Sequence, residues 1–276
     1  MEAILDKKEF SPNTKKVYLS IIKRLTKLNF KFPSKKSEGV EYIKAFFAEH
    51  EMTKASTRLD QLNLVIVLRI INELPIEKLK EFRTELAKER LQNQIPKMNS
   101  IKETLMSKPD FETELLKTYE NGDYKKFIVN YLMLNFGTRT MDINVLIVKD
   151  AKEATDPKQN YLILKPKKVT WIRNIFKTSK TFGSQEHIIT DQEFVTAVKK
   201  HGIGRLFPEG QLSNGMKKLL INGMLESKIF KMLIDAAFDK KDTAEINRLS
   251  KSRGTSIATI KSFYNVNAGD EVIRQL

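Results

Sequence analysis

The stretch YLILKPKKVTWIRNIFKTSKTFGSQEHII at residues 161–189 differs in pattern from the rest of the chain. It holds three runs rich in β-branched and aromatic residues, at 161–164, 169–176 and 186–189, and turns containing Lys or Gly separate them. The surrounding segments repeat apolar residues at helical spacing instead. The sequence therefore predicts a mainly α protein with a small three-stranded antiparallel sheet inserted in its second half.

The first part of the chain has the pattern of a small helical bundle. Ser11 is a suitable N-cap and Pro12 suits the first position of a helix that ends near Asn29. Further helices are predicted at 40–49, from about 54 to the break at Pro75, and at 76–91. The polar, proline-containing stretch 91–100 predicts a domain boundary, with one helical domain at 1–95 and a larger one at 96–276.

The larger domain is predicted to be α-rich on both sides of its sheet. Before the sheet, helical patterns lie at 101–106, 111–119 and 124–135. After it, they lie at 191–201, 213–225, 229–238, 243–249 and 256–264.

The composition of the chain favours a basic, intracellular, nucleic-acid-binding protein. The 276 residues include 49 Lys and Arg against 34 Asp and Glu, which gives a net charge of +15, and the basic residues are spread over the whole chain. Such a distribution is typical of a folded surface that follows a phosphate backbone. The absence of cysteine excludes disulfides, a thiolate nucleophile and Cys-ligated zinc, and predicts a reducing compartment, cytoplasm or nucleus. No apolar run approaches the ~20 residues of a membrane span, and the first ten residues carry no export signal.

Two short segments of the predicted N-terminal domain are similar to a known family. The segment SPNT at 11–14, followed by Tyr18, resembles the first helix of the core-binding domain of tyrosine recombinases, the phage-integrase and Cre-like enzymes. The segment KAST at 54–57 resembles the start of a later helix of that domain.

The larger domain resembles the catalytic domain of the same family at several ordered positions. The segment GTRTMD at 137–142 is similar to the first arginine box, which places Arg139 at the catalytic arginine. The segment IFKTSKT at 175–181 resembles the turn that carries the catalytic lysine, with Lys180 the first candidate and Lys177 the second. The segment TSIAT at 255–259 resembles the box before the nucleophilic tyrosine, which would be Tyr264. The segments VKD at 148–150 and LFP at 206–208 also fit.

The resemblance implies a specific division of chemical roles. Arg139 would stabilise the charge of a pentacoordinate phosphorus, because a planar guanidinium grips two phosphoryl oxygens. Lys180 would protonate the departing 5′ oxygen. Tyr264 would form a 3′-phosphotyrosyl link, which conserves bond energy, so that no ATP, metal or other cofactor is required.

The sequence departs from the family at two places. The second arginine box, His-x-x-Arg, is matched here by Lys228-Ile229-Phe230-Lys231, and lysine lacks the bidentate fork of arginine. The His or Trp that precedes the tyrosine is replaced by Thr255, while Arg253 nearby offers another guanidinium. Plain contact with the DNA backbone is an alternative role for Lys177, Lys180, Lys228 and Lys231.

The predicted function is site-specific recombination or integration of DNA. The lysine-rich, cysteine-free composition is typical of an AT-rich mobile element or virus, while an origin in a virus, a plasmid or a cell stays open. The resemblance implies a clamp of two domains on double-stranded DNA and a homotetramer, in which the tail 265–276 docks on a neighbouring protomer. The alternatives are a catalytically degenerate, architectural DNA-binding protein and a type IB topoisomerase. The basic side chains assigned to DNA contact are Lys15, Lys16, Lys23, Lys54, Arg58, Lys165 and Lys167.

Overall fold

A computed structural model describes residues 5–6, 8–33 and 39–266. The chain divides into two compact units between Lys97 and Met98. They are called the N-terminal unit and the C-terminal unit below. None of the helices in the described part of the chain has the length and apolar character needed to cross a membrane.

The N-terminal unit is built from amphipathic helices. Ser11 caps the first of them by accepting a hydrogen bond from the backbone N–H of Thr14, as its position before Pro12 predicts. The interior is formed by fully buried side chains such as Ile43, Leu62 and Leu79. The helices are α1 (Pro12–Lys27), α2 (Val40–Glu49), α3 (Ala55–Ile71) and α4 (Glu77–Gln92).

The C-terminal unit contains a five-stranded mixed sheet. The strands lie in the order β4-β3-β2-β1-β5. β1 and β2 are parallel, whereas the other neighbouring pairs are antiparallel. The strands are β1 (Val145–Val148), β2 (Asn160–Lys165), β3 (Lys168–Arg173), β4 (Gln185–Ile189) and β5 (Gly204–Arg205).

The prediction of a three-stranded antiparallel sheet is therefore wrong in size and in type. β2, β3 and β4 do form an antiparallel set, but β1 extends it in parallel and β5 pairs with β1. β1 is an apolar run of four residues, too short for its pattern to distinguish a strand from a helix. β5 contains only two residues, so it has no alternating pattern to recognise.

In the chain, helices lie before, within and after this sheet, and the one at Gln192–His201 packs against β2 and β3. Those before the sheet are α5 (Ile95–Glu103), whose first three residues belong to the N-terminal unit, α6 (Lys108–Glu120) and α7 (Tyr124–Phe136). A short helix, α8 (Ser179–Phe182), lies between β3 and β4, and α9 (Gln192–His201) follows β4. The remaining helices are α10 (Leu212–Leu219), α11 (Glu226–Asp239), α12 (Thr243–Arg253) and α13 (Ile257–Phe263). α7 is the central helix, and its buried face packs against α6, α9 and α11.

Several helices differ in their bounds from the predicted ones. α5 begins at Ile95, within the stretch 91–100 predicted as the domain boundary, and ends at Glu103, whereas the sequence predicted a helix at 101–106. α12 continues to Arg253, four residues beyond the predicted end at 249.

The helix predicted at 213–225 ends at Leu219, and Asn222 has a positive φ of 47° that interrupts helical geometry before Gly223. α11 begins at Glu226, three residues before the predicted start at 229. This earlier start places Glu226 on the first turn of α11.

Candidate active site

Arg139 is positioned by the end of α7. The helix stops at Gly137, which has a positive φ of 60°, and a Cβ at this position would lie 2.8 Å from Cε2 of Phe230. Two residues later the backbone N–H of Arg139 donates to Oδ2 of Asp142 at 2.9 Å. The tight turn therefore presents a half-buried Arg139 side chain beside α11 and α12.

Arg253, the last residue of α12, is bonded to the same turn. Its side chain is 2% exposed, and Nη1 donates to the carbonyl oxygens of Gly137 at 2.8 Å and Thr138 at 3.3 Å. In the opposite direction, Nη1 of Arg139 donates to the carbonyl oxygen of Arg253. These reciprocal bonds connect two segments that lie more than one hundred residues apart in sequence and bring both guanidinium groups into one cluster.

Tyr264 lies at the edge of this cluster. It follows α13, and its half-buried ring meets Phe230 edge to face, with ring centroids 4.8 Å apart. The ring centroid is also 5.3 Å from Cζ of Arg253. Among the residues that the structure describes, the Tyr264 hydroxyl has no hydrogen-bond partner. The structure thus brings together Arg139, Arg253 and Tyr264, three of the residues singled out from the sequence.

The electrostatics of Arg139 reflect this neighbourhood. Burial lowers the pKa of Arg139 from its ordinary value, and the positive charge of Arg253 lowers it further. Asp142, Tyr264 and Glu226 act in the opposite direction. Arg139 therefore lies among both positive and acidic neighbours.

Arg173 is a third guanidinium of the cluster that sequence reasoning missed. It is wholly buried, and Nη2 pairs with Oδ2 of Asp142 at 2.7 Å while Nη1 donates to the carbonyl oxygen of Ser252 at 2.6 Å. Burial lowers its pKa, and Asp142 opposes that shift. The alternation of side chains along β3 could have indicated it. Val169 and Trp171 are core residues, and Arg173 faces the same side of the strand.

Glu226 is the second residue that sequence reasoning missed. Its Oε1 accepts from Nη2 of Arg253 at 3.3 Å, and its Oε2 accepts from the backbone N–H of Thr140. No pattern in the sequence singles out Glu226, because the predicted helix begins three residues later, at 229. The cluster therefore combines three guanidinium groups with two carboxylates, those of Asp142 and Glu226.

The segment that carries Lys177 and Lys180 adjoins the cluster. Between the two lysines, Oγ1 of Thr178 donates to the carbonyl oxygen of Gly254 at 3.1 Å, next to Arg253. Both lysine side chains are exposed, and neither has a hydrogen-bond partner within the described ranges. Their amines are therefore available to an incoming phosphate.

Lys228 and Lys231 lie on α11 but are not bonded to the arginine cluster. Nζ of Lys228 donates to Oγ1 of Thr104 at 3.4 Å. Burial, followed by the charge of Lys228, lowers the pKa of Lys231. In the described part of the chain, no hydrogen bond joins either lysine to Arg139, Arg253 or Tyr264.

The side chains assigned to DNA contact in the N-terminal unit differ in their availability. Lys16, Lys23 and Lys54 are exposed. Lys15, also exposed, pairs with Asp6 at 2.6 Å. Arg58 is half-buried and forms an ion pair with Glu89, so much of its charge is already compensated.

In the C-terminal unit, the two candidates for DNA contact lie around the β2–β3 turn. Lys167 is exposed, and Nζ of the partly exposed Lys165 donates to the carbonyl oxygen of Lys149 at 3.1 Å. Residues 267–276, which include most of the tail expected to dock on a neighbour, lie outside the described residues. Within the described ranges, no group of three His, Asp or Glu side chains is arranged to hold a metal.

Gly254 provides a test of how closely the segment that carries Lys177 and Lys180 packs against the end of α12. It has a φ of +61°, and a Cβ would lie 2.0 Å from Oγ1 of Thr178. We expect Gly254→Ala to lower the thermal unfolding temperature measurably, because it introduces both backbone strain and a steric conflict. Gly183→Ala is the matched control, since Gly183 also has a positive φ, +70°, but nothing within 4 Å of its Cβ position. Equal shifts in the two variants would contradict close packing of the lysine segment on Gly254.

One solved structure similar to this chain is titled "Crystal structure of XerA recombinase". The two chains are 14% identical, the match covers 96% of this chain and 90% of the other, and the TM-score is 0.37. No protein-family model matches the sequence, and no curated protein matches it. A likeness of this size does not assign the chain to a family.

Proposed function

We propose that the protein breaks and rejoins DNA strands through Tyr264, as a site-specific recombinase or integrase. The observation that carries the proposal is the position of Tyr264, whose hydroxyl is unengaged within the described residues and whose ring centroid lies 5.3 Å from Cζ of Arg253, in the cluster that also contains Arg139. A phenol is a weak nucleophile near neutral pH, so its target must be held in place and its negative charge compensated. Guanidinium groups provide both functions for a phosphodiester.

The proposed reaction begins with a backbone phosphate bound by Arg139. Nη1 of Arg139 donates to the carbonyl oxygen of Arg253. The other nitrogens of the Arg139 guanidinium have no partner in the described part of the chain. The Tyr264 oxygen attacks the phosphorus, the phenol releases its proton to solvent water, and the bond from phosphorus to the 5′ oxygen breaks. The exposed Lys180, or Lys177 in its place, donates a proton to that oxygen. Reversal of these steps with another 5′ hydroxyl rejoins the strand.

The proposed substrate is double-stranded DNA, bound by both units. Exposed lysines in each unit, including Lys16, Lys23 and Lys167, are suited to phosphate contacts that do not depend on sequence. The N-terminal unit is assigned to core binding and the C-terminal unit to chemistry. Assembly as a homotetramer on two DNA sites is part of the proposal.

A covalent-trapping assay tests this function. Nicked duplex DNA of random sequence is incubated with the protein, and the mixture is then denatured in SDS. We expect a shifted protein–DNA band with the wild-type protein and none with Tyr264→Phe. Tyr124→Phe is the matched control, because Tyr124 is also a half-buried tyrosine of the C-terminal unit and should still give the band.

A non-catalytic DNA-binding protein on the same fold is the second candidate. It is favoured by the hydrogen bonds of Arg253, whose terminal nitrogens are all engaged by Gly137, Thr138 and Glu226 within the protein. On this hypothesis both the wild-type protein and Tyr264→Phe retard DNA in a native gel at low salt, and neither forms a covalent band. That outcome would replace the first candidate by the second.

A further inference from the structure

The Glu226 carboxylate is surrounded by hydrogen-bond donors of the kind that form an anion-binding site. One oxygen accepts from the backbone N–H of Thr140, and the other accepts from Nη2 of Arg253 at 3.3 Å. Glu226 also lies on the first turn of the fourteen-residue α11, where the helix dipole favours a negative charge. A backbone N–H, a guanidinium and a helix N-terminus together form the kind of site that binds phosphate oxygens.

The guanidinium group that pairs with Glu226 has a further donor that the described residues leave without a partner. Nε of Arg253 is buried and has no partner in the described part of the chain, although the residue is only 2% exposed. Arg139 also lies within electrostatic range of Glu226. Positive groups therefore surround the carboxylate, and they include donors that it does not satisfy.

The two carboxylates of the cluster differ in how easily they can move. Asp142 is wholly buried and accepts from both Arg173 and the backbone N–H of Arg139, so it is fixed in the interior. The Glu226 side chain is 28% exposed, and its contact with Arg253 is long for a charged hydrogen bond. Displacing the Glu226 carboxylate should therefore cost less free energy than displacing that of Asp142.

We propose that the Glu226 carboxylate mimics a DNA phosphate in the free protein. When DNA binds, a backbone phosphate displaces this carboxylate. The inference rests on the proposed function, because it takes a backbone phosphate as the displacing anion. Glu226 then limits the affinity of the cluster for anions, since each phosphate must compete with a carboxylate that is already bound.

Titration with inorganic phosphate, followed by ³¹P NMR, tests this proposal on the full chain. We expect Glu226→Gln to bind phosphate about tenfold more tightly than the wild-type protein, which is the size of one charge-assisted hydrogen bond. The amide oxygen of glutamine can still accept from the backbone N–H of Thr140, so this contact between α11 and the turn after α7 is preserved. Glu226→Asp, which retains the charge, should stay close to the wild-type affinity. Adding Arg139→Ala to Glu226→Gln should remove the gain and so locate the phosphate.

Glu245→Gln is the matched control for a change in net charge. Glu245 is a carboxylate of the same unit, is 25% exposed and is also paired with an arginine, Arg248. Equal affinity gains in Glu245→Gln and Glu226→Gln would overturn the proposal, as would weaker phosphate binding by Glu226→Gln. If phosphate binding increases as expected but no variant forms a covalent adduct with DNA, the proposed strand cleavage fails and the anion-mimic role stands.

Discussion

Replacing Arg173 by methionine is expected to lower the free energy of unfolding of the C-terminal unit by about 3–5 kcal/mol. Methionine fills a similar length, but it leaves the carboxylate of Asp142 buried without its cationic partner. The carbonyl oxygen of Ser252 and the side chain of Gln185 also lose a donor, at 2.6 and 2.8 Å. Denaturant unfolding followed by circular dichroism measures the loss.

Lys117→Met is the matched control for this prediction. Lys117 pairs with Glu114 at 2.7 Å, the same distance as the Arg173–Asp142 pair, but both partners are solvent-exposed. An exposed pair contributes about 0–1 kcal/mol, so Lys117→Met should have little effect. A loss in Arg173→Met no larger than that in Lys117→Met would show that the buried pair does not hold the unit together.

The pH dependence of the Arg173 variant gives an independent check. Burial raises the pKa of Asp142, and the charge of Arg173 opposes that rise. Without Arg173 the folded-state pKa rises further above the unfolded value of about 3.9. A carboxyl group with a raised folded-state pKa contributes to the free energy of unfolding at pH values below its unfolded pKa. This contribution is lost as pH rises through the folded-state pKa. The difference in free energy of unfolding between Arg173→Met and the wild-type protein should therefore become smaller as pH falls.

Local sequence signals were sufficient to predict much of the fold. α2 has the predicted bounds of 40–49, and the start of α1 follows from the cap formed by Ser11 and Pro12. The strands β2, β3 and β4 follow from β-rich runs separated by turns. In each case the deciding interactions join residues that are close in sequence.

The contacts that build the candidate site could not be predicted in this way. Arg139 and Arg253 were identified, but their reciprocal hydrogen bonds join residues more than one hundred positions apart. The alternation in β3 indicates that Arg173 faces inward, yet it does not name Asp142 as its partner. Glu226 was missed because its role depends on where α11 begins, and helix ends are the least regular part of a periodic pattern.

Arg139→Ala is expected to reduce the rate of covalent adduct formation by about 10²–10³-fold, the usual effect of removing one donor that stabilises a transition state. Native-gel affinity for DNA should change little, because the proposed function assigns backbone contacts to many exposed lysines in both units. Adduct formation is measured in single turnover with saturating protein, at a temperature where circular dichroism shows the variant folded. The fold must be checked because Arg139 also donates to the carbonyl oxygen of Arg253.

Two further variants separate charge, geometry and packing at Arg139. Arg139→Lys keeps the positive charge but loses the planar fork, so its rate should lie between those of Arg139→Ala and the wild-type protein. Arg248→Ala is the matched control, because Arg248 is an arginine of the same unit that also donates to a backbone carbonyl, that of Asn135. It should leave the rate unchanged. A group that contacts the reacting phosphate should slow adduct formation without weakening DNA binding. Equal losses of rate in Arg139→Ala and Arg248→Ala would therefore mean that Arg139 acts through packing.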